Sequence, residues 1–68
     1  MAAVTYDREG DVLYIALGAE DDKTEGEEVS PGVMLMYDGD NRIVGIEITS
    51  ASKKIASGAL DQLAAAAE

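Results

Sequence analysis

Four groups of residues in this 68-residue chain are of types that can do chemistry. Ser50-Ala51-Ser52-Lys53 fits the Ser-x-x-Lys pattern of serine acyl-enzymes. Those enzymes need further motifs and a large second domain, and four residues holding two serines match by chance. The expected role of Ser50 is to cap a helix by accepting a backbone N–H. The carboxylates from Glu20 to Glu28 offer the oxygen ligands that hard cations take, but an acidic loop interrupted by Lys23 is expected to be simply solvated. Asp38-Gly39-Asp40-Asn41 begins like a calcium loop, yet Arg42 occupies the next ligand position and the required glycine and closing glutamate are absent. Glu47 or Asp38 beside Tyr14 could do acid–base work only in a cleft, and nothing in the sequence places two such groups in one. The expectation is a protein that is not an enzyme, with no catalytic, cofactor-binding or metal-ligating residue assigned.

Composition points the same way. Histidine, the commonest general base and metal ligand, is absent, and so is cysteine, so neither a disulfide framework nor a thiolate metal site can be built. Fourteen acidic residues against five basic ones give a net charge of -9. Nucleic acid is disfavoured as a partner, because affinity there comes largely from Lys and Arg neutralising phosphates. An acidic surface does suit a basic protein, whose approach it steers. No apolar run approaches the roughly 18 residues of a membrane helix, and no basic-then-apolar leader is present. With a bare Met1 start, the expected location is the cytoplasm and no membrane partner is expected.

The elements that must position these residues follow from pattern. Val4–Tyr6 and Asp11–Leu17 read as strands around the turn formers Asp7 and Gly10. Gly18 to Gly26 is a polar connection, and Glu27–Val29 is a short strand candidate before the Ser30-Pro31-Gly32 turn. Val33–Tyr37 and Arg42–Ile48 flank Asp38-Gly39-Asp40-Asn41 and predict a hairpin. An even loop of two or four residues pairs Leu35 with Val44, Val33 with Ile46 and Met36 with Ile43; a three-residue loop would set Leu35 opposite Gly45 and mix the faces. After Thr49 the period changes, with Ala51, Ile55, Ala59 and Leu63 recurring every four residues and Leu60 widening the stripe. Gly58 weakens that helix by about 1 kcal/mol relative to Ala and is a candidate break, with Ser57 recapping the second part. Lys53 and Lys54 fall near its start, the wrong end for the helix dipole.

One sheet face collects Leu13, Ile15, Leu17, Val33, Leu35, Val44, Ile46 and Ile48, a floor for the helix. The other carries Val12, Tyr14, Ala16, Met34, Met36 and Ile43, with Glu47 among them, and should be polar if it met only water. If Gly10 takes the left-handed position of a three-residue loop, Val4 and Tyr6 join it. One helix cannot cover two apolar faces. Val12, Tyr14, Met34, Met36 and Ile43 are therefore expected to form a protein interface, most simply a two-fold homodimer. Size supports this, since a core this small rarely supplies more than about 3–5 kcal/mol without a staple or a partner. Gly45, inside a strong strand, marks a bulge or a close approach of the backbone.

The residues also resemble a known family. Tyr6-Asp7-x-Glu9-x-Asp11-x-Leu13-Tyr14-Ile15, Val29-x-Pro31-Gly32-Val33, Tyr37-Asp38 and Ile43-Val44-Gly45-Ile46-Glu47-Ile48-x-x-Ala51-Ser52-Lys53 are similar to the small prokaryotic family called Domain of Unknown Function 2283, over roughly Val4 to Lys53. The Val-Gly-Ile-Glu-Ile-x-x-Ala-Ser run carries most of the likeness. Family members usually have an acidic residue at the position of Met36 and at Thr49 or Ser50, so this chain departs from the pattern there. The resemblance implies a compact α+β domain of cytoplasmic prokaryotic proteins and supplies no catalytic residue. Some members lie beside small toxin-like genes, which implies an antitoxin-like role.

Together these readings predict a single α+β domain over 1–68: a small antiparallel meander of four or five strands (sheet 3–48) with one C-terminal helix (50–67) on one face. The expected function is a non-enzymatic, self-associating homodimeric domain. The alternative is an acidic protein-binding module, an antitoxin-like partner of a basic protein.

Overall fold

A computed structural model describes residues 3–66. The β-prone runs form β1 (Ala3–Asp7), β2 (Val12–Ala16), β3 (Glu25–Ser30), β4 (Val33–Tyr37) and β5 (Ile43–Thr49), followed by α1 (Ala51–Lys54) and α2 (Ser57–Ala66). All neighbouring strands are antiparallel and lie in the order β1-β2-β5-β4-β3. The class is α+β, as expected, but the sheet is not a strict meander. The physical reason is the composition of β3. Its six residues, Glu-Gly-Glu-Glu-Val-Ser, are all exposed, and a meander would put this acidic strand at the centre of the sheet. Pairing β2 with β5 sends it to an edge, where charge is tolerated and discourages further strand addition.

The β1–β2 turn differs from expectation in one residue. Asp11, not Gly10, takes the left-handed conformation, with φ 56°, and the Asp7 carboxylate accepts the N–H groups of Glu9 and Gly10 at 3.1 and 3.2 Å. The register then sets Tyr6 opposite Leu13 and Val4 opposite Ile15. Val4 and Tyr6 therefore belong to the helix-covered face and not to the Met/Tyr face.

The β4–β5 hairpin also departs from the predicted even loop. Asn41 adopts φ 63° and donates its N–H to the Asp38 carbonyl at 3.0 Å, while Asp38 donates to the Arg42 carbonyl at 2.9 Å. This is a three-residue loop, with the odd register that should mix the faces. A bulge between Met36 and Tyr37 restores parity, because Val44 has no partner on β4. Leu35 pairs with Ile46 and Val33 with Ile48, two residues from the predicted partners but on the predicted face.

The single C-terminal helix is in fact two. The break lies at Ile55, which is extended at φ -107° and ψ 138° and packs against the core. Gly58 lies within α2, and a side chain there would touch nothing. Ending α1 at Lys54 puts Lys53 and Lys54 in its last turn, the favourable end for their charge, contrary to expectation. Ser50 does not cap: it is left-handed, and its side chain makes no capping bond. The predicted end of the helix, Ala67, lies outside the described residues.

The core is small. Among the described residues, Leu13, Val44, Ala51, Leu60 and Ala64 are the buried hydrophobic ones, and Leu13 is the one large side chain fully enclosed. Leu13, Ala51 and Leu60 form the central cluster, flanked by Val4, Tyr6, Ile15, Ile48, Ile55 and Leu63. In this arrangement α2 lies over β1. Val33, Leu35 and Ile46 share the same face by register but stand outside the cluster, only partly buried. The helices thus roof half of one face. No helix among the described residues is long and apolar enough to cross a membrane.

Candidate interaction surface

Strand β4 reads Val-Met-Leu-Met-Tyr, and all five residues are partly buried, none fully. It is an interior strand, hydrogen-bonded to β3 and β5. A strand apolar on both faces ordinarily has both faces covered. Here one row of side chains, Val33, Leu35 and Tyr37, looks to the unroofed half of the helix side, and the other, Met34 and Met36, looks to the opposite face.

That opposite face is laid out in rows by the strand register. Thr5, Tyr14, Glu47, Met34 and Glu28 form one row, and Ala3, Ala16, Gly45, Met36 and Gly26 the next. Val12 lies beyond them opposite Thr49. The structure therefore brings Tyr14, Met34 and Met36 together, with Val12 at one end. It does not bring in Ile43, which pairs with Tyr37 because of the Val44 bulge and is 44% exposed.

Two glycines shape this surface. A Cβ on Gly45 would run into the Tyr14 hydroxyl and meet its ring at 2.9 Å, so the tyrosine lies across β5 only because Gly45 has no side chain. Gly26 does the same for the methionines, with Met34 Cε and Met36 Sδ 2.9 and 3.1 Å from where its Cβ would be. The Tyr14 hydroxyl donates to the Glu20 carboxylate, which tethers the 17–24 connection to the sheet. That hydrogen bond, with desolvation and the negative charges of Glu20 and Glu47, pushes the phenol up to about 12.

The face is acidic. Asp7, Glu28 and Glu47 stand on it by register and Glu20 reaches its edge, while none of its positions holds Lys or Arg. Three of the five cations are engaged elsewhere. Arg42 pairs with Asp38 at 3.1 Å and Asp40 at 3.3 Å, Lys54 donates to the Thr49 carbonyl, and Arg8 stacks on Tyr6 with its guanidinium carbon 5.7 Å from the ring centroid.

The other residues of chemical interest have structural occupations. Ser52 of the Ser-x-x-Lys match donates its hydroxyl to Asp11 at 2.6 Å and its N–H to the same carboxylate at 3.0 Å. Those bonds, with one from Tyr6, hold Asp11 below the usual carboxylate range, and the Tyr6–Asp11 hydrogen bond raises the Tyr6 phenol. Asp38 organises the hairpin loop, accepting the N–H groups of Asp40 and Arg42 at 2.8 and 2.9 Å. The Arg42 N–H first, then that of Asp40, hold its carboxyl below the usual carboxylate range. Asp38 is thus remote from Tyr14 in register, whereas Glu47 is directly opposite it. Open depressions at the hairpin end are lined by Glu25, Glu27, Tyr37 and Asp38 on one side and by Leu17, Asp21, Arg42 and Ile43 on the other. Neither contains Tyr14 or Glu47.

Residues 3–52 match the family model described as a protein of unknown function, DUF2283, and the chain belongs to that family. No curated protein and no solved structure matches the chain.

Proposed function

We propose that this member of the DUF2283 family is a non-enzymatic, self-associating domain that works as a homodimer in the cytoplasm. The observation that carries the reading is β4, an interior strand apolar on both sides and fully covered on neither. Surface area agrees in sense. The chain exposes 4638 Å², whereas a folded monomer of its mass is expected to expose about 4,100 Å². A standard dimer interface removes about 800 Å² per partner.

The second copy fits best on the unroofed half of the helix side, over Val33, Leu35 and Ile46. Its centre is aliphatic, and its acids, Glu25 and Glu27, lie at the β3 edge. A two-fold axis parallel to the central strand β5, lying above the helix side of the sheet, sets each α2 over the half-sheet the other leaves bare. A two-fold on the Met/Tyr face, the simplest arrangement from sequence, sets Glu47 and Glu28 of both copies against one another with no cation to answer them.

Solution mass by light scattering across a dilution series tests the reading. A mass of twice the chain that persists on dilution supports it; a monomer at every concentration rejects it.

A further inference from the structure

We propose that the Met/Tyr face is a docking surface for a basic amphipathic helix of another protein, separate from the surface that takes the second copy. Three features of the face select this occupant.

The first is shape. A bare sheet face is normally roofed by helices or by a second sheet. Met34 is flanked in its row by Glu47 on one side and Glu28 on the other. Those two are two strands apart, about 10 Å at ordinary strand spacing. A helix with its side chains is about 10–12 Å across. A helix bedded on Met34 and Met36 therefore places its two flanks above the two glutamates.

The second is charge. Every charged residue that stands on the face by register is acidic, Lys54 reaches only its Thr49 end, and no basic side chain pairs with Glu28 or Glu47 among the described residues. Lys or Arg beside an apolar stripe supplies what the face lacks. An acidic helix, an anionic membrane surface and a nucleic acid are all repelled.

The third is the apolar centre itself. Methionine side chains are flexible and polarizable, and they adapt to the apolar stripe of an incoming helix. Gly26 and Gly45 leave their strands bare beneath, so Met34, Met36 and the Tyr14 ring lie low across the sheet. The tyrosine hydroxyl is held at the margin by Glu20, leaving its ring as a flat platform.

The test titrates the ¹⁵N-labelled full chain with a synthetic helical peptide of about four turns, with leucine on one face and lysine on both flanks. A second peptide keeps the lysines and replaces leucine by serine. The expected result is that the leucine peptide moves the amides of Tyr14, Met34, Met36, Gly45 and Glu47 most. The Glu28→Gln, Glu47→Gln double variant weakens binding about fivefold or more, from two partly exposed charge pairs. The Glu9→Gln, Asp61→Asn variant, equal in charge but off the face, binds as the unmodified chain does. The proposal is overturned if the serine peptide binds as well, if both double variants weaken binding alike, if the shifts fall elsewhere, or if no binding is seen. It is also overturned if Met34→Lys changes the solution mass, since the second copy would then occupy this face. An unmodified chain that is dimeric but does not bind the leucine peptide rejects this inference alone, and an unmodified chain that is monomeric yet binds it rejects only the dimer.

Discussion

Asp11 and Ser52 stand 41 positions apart in the chain and share two kinds of hydrogen bond, hydroxyl to carboxylate at 2.6 Å and backbone N–H to carboxylate at 3.0 Å. The Asp11 carbonyl also accepts the Ala51 N–H at 3.0 Å, and its carboxylate accepts the Tyr6 hydroxyl at 2.7 Å. The first two orphan N–H groups of α1, those of Ala51 and Ser52, are thus satisfied by a turn residue of the first hairpin, while the Lys53 N–H goes to the Ser50 carbonyl at 3.0 Å and the Ser50 side chain caps nothing. Asp11 reaches them because it adopts φ 56°, a conformation that Asp and Asn tolerate better than most residues.

Replacing Asp11 should therefore loosen the helices from the sheet. Urea unfolding followed by circular dichroism should rank the midpoints as unmodified chain, then Asp11→Asn, then Asp11→Ala. Asparagine keeps the backbone conformation and one acceptor, while alanine keeps neither. Ser52→Ala added to Asp11→Ala should cost little more, because both act on one interaction. An Asp11→Ala midpoint equal to that of the unmodified chain would refute the capping role.

Among the described residues Leu13 is the one large side chain with no exposed surface, and its cluster holds the helices to the sheet. Truncating such a residue to alanine costs about 3 kcal/mol or more, close to all that a core of this size supplies. Leu13→Ala should be largely unfolded at room temperature. A cooperative thermal transition in that variant would show that stability resides elsewhere.

Gly45 should resist even alanine. In an ordinary strand, glycine to alanine gains about 0.5–1 kcal/mol. Here the new methyl group collides with the Tyr14 ring and hydroxyl, and overpacking of this kind costs about 1–3 kcal/mol. The double variant Gly45→Ala, Tyr14→Ala should recover the deficit relative to Tyr14→Ala alone. If Gly45→Ala destabilises both backgrounds equally, the tyrosine is not the reason for the glycine.

How much of this was legible in the sequence depends on the range of each interaction. The strands, the α+β class and the apolar character of both faces of β4 were readable, because they rest on local pattern. Gly45 was readable as a close approach, though not that Tyr14 makes it. The strand order reads from sequence as a meander and is not one, although the acids of β3 carry the signal that it belongs at an edge. The hairpin register failed because two irregularities cancel: the left-handed Asn41 makes the loop odd and the unpaired Val44 makes the faces agree again. Counting residues cannot see a bulge, and the same bulge removed Ile43 from the face predicted for it. Asp11 was missed because its partner is distant in sequence, and Ser50, next to the helix, offered a plausible local cap.

The pKa shifts set two windows of pH sensitivity. Tyr14 is raised from an ordinary 10 to about 12, so its stabilising contribution is intact below pH 10 and is lost as pH rises through 12. Asp11 and Asp38 are lowered from 3.8, so theirs is intact above that value and is lost as pH falls below it. Absorbance near 295 nm should show one of the three tyrosines titrating near pH 12, and Glu20→Gln should bring it back toward 10. If the last phenol to ionise is unmoved by Glu20→Gln, the Tyr14–Glu20 hydrogen bond does not set its pKa.

Met34 and Leu35 are adjacent in β4 and look to opposite sides of the sheet, so one pair of variants separates the two proposed surfaces. Aspartate at either position adds one negative charge and interrupts an apolar patch. Leu35→Asp places that charge in the surface assigned to the second copy, where it would be buried without a partner. It should shift the chain to monomer at concentrations where the unmodified protein is dimeric. Met34→Asp leaves that surface intact and should keep the dimer mass while abolishing peptide binding on the other face. Light scattering and the peptide titration together read both. A dimer lost with Met34→Asp and retained with Leu35→Asp would exchange the two assignments, and a dimer retained in both would move self-association off the sheet faces altogether, to a sheet edge.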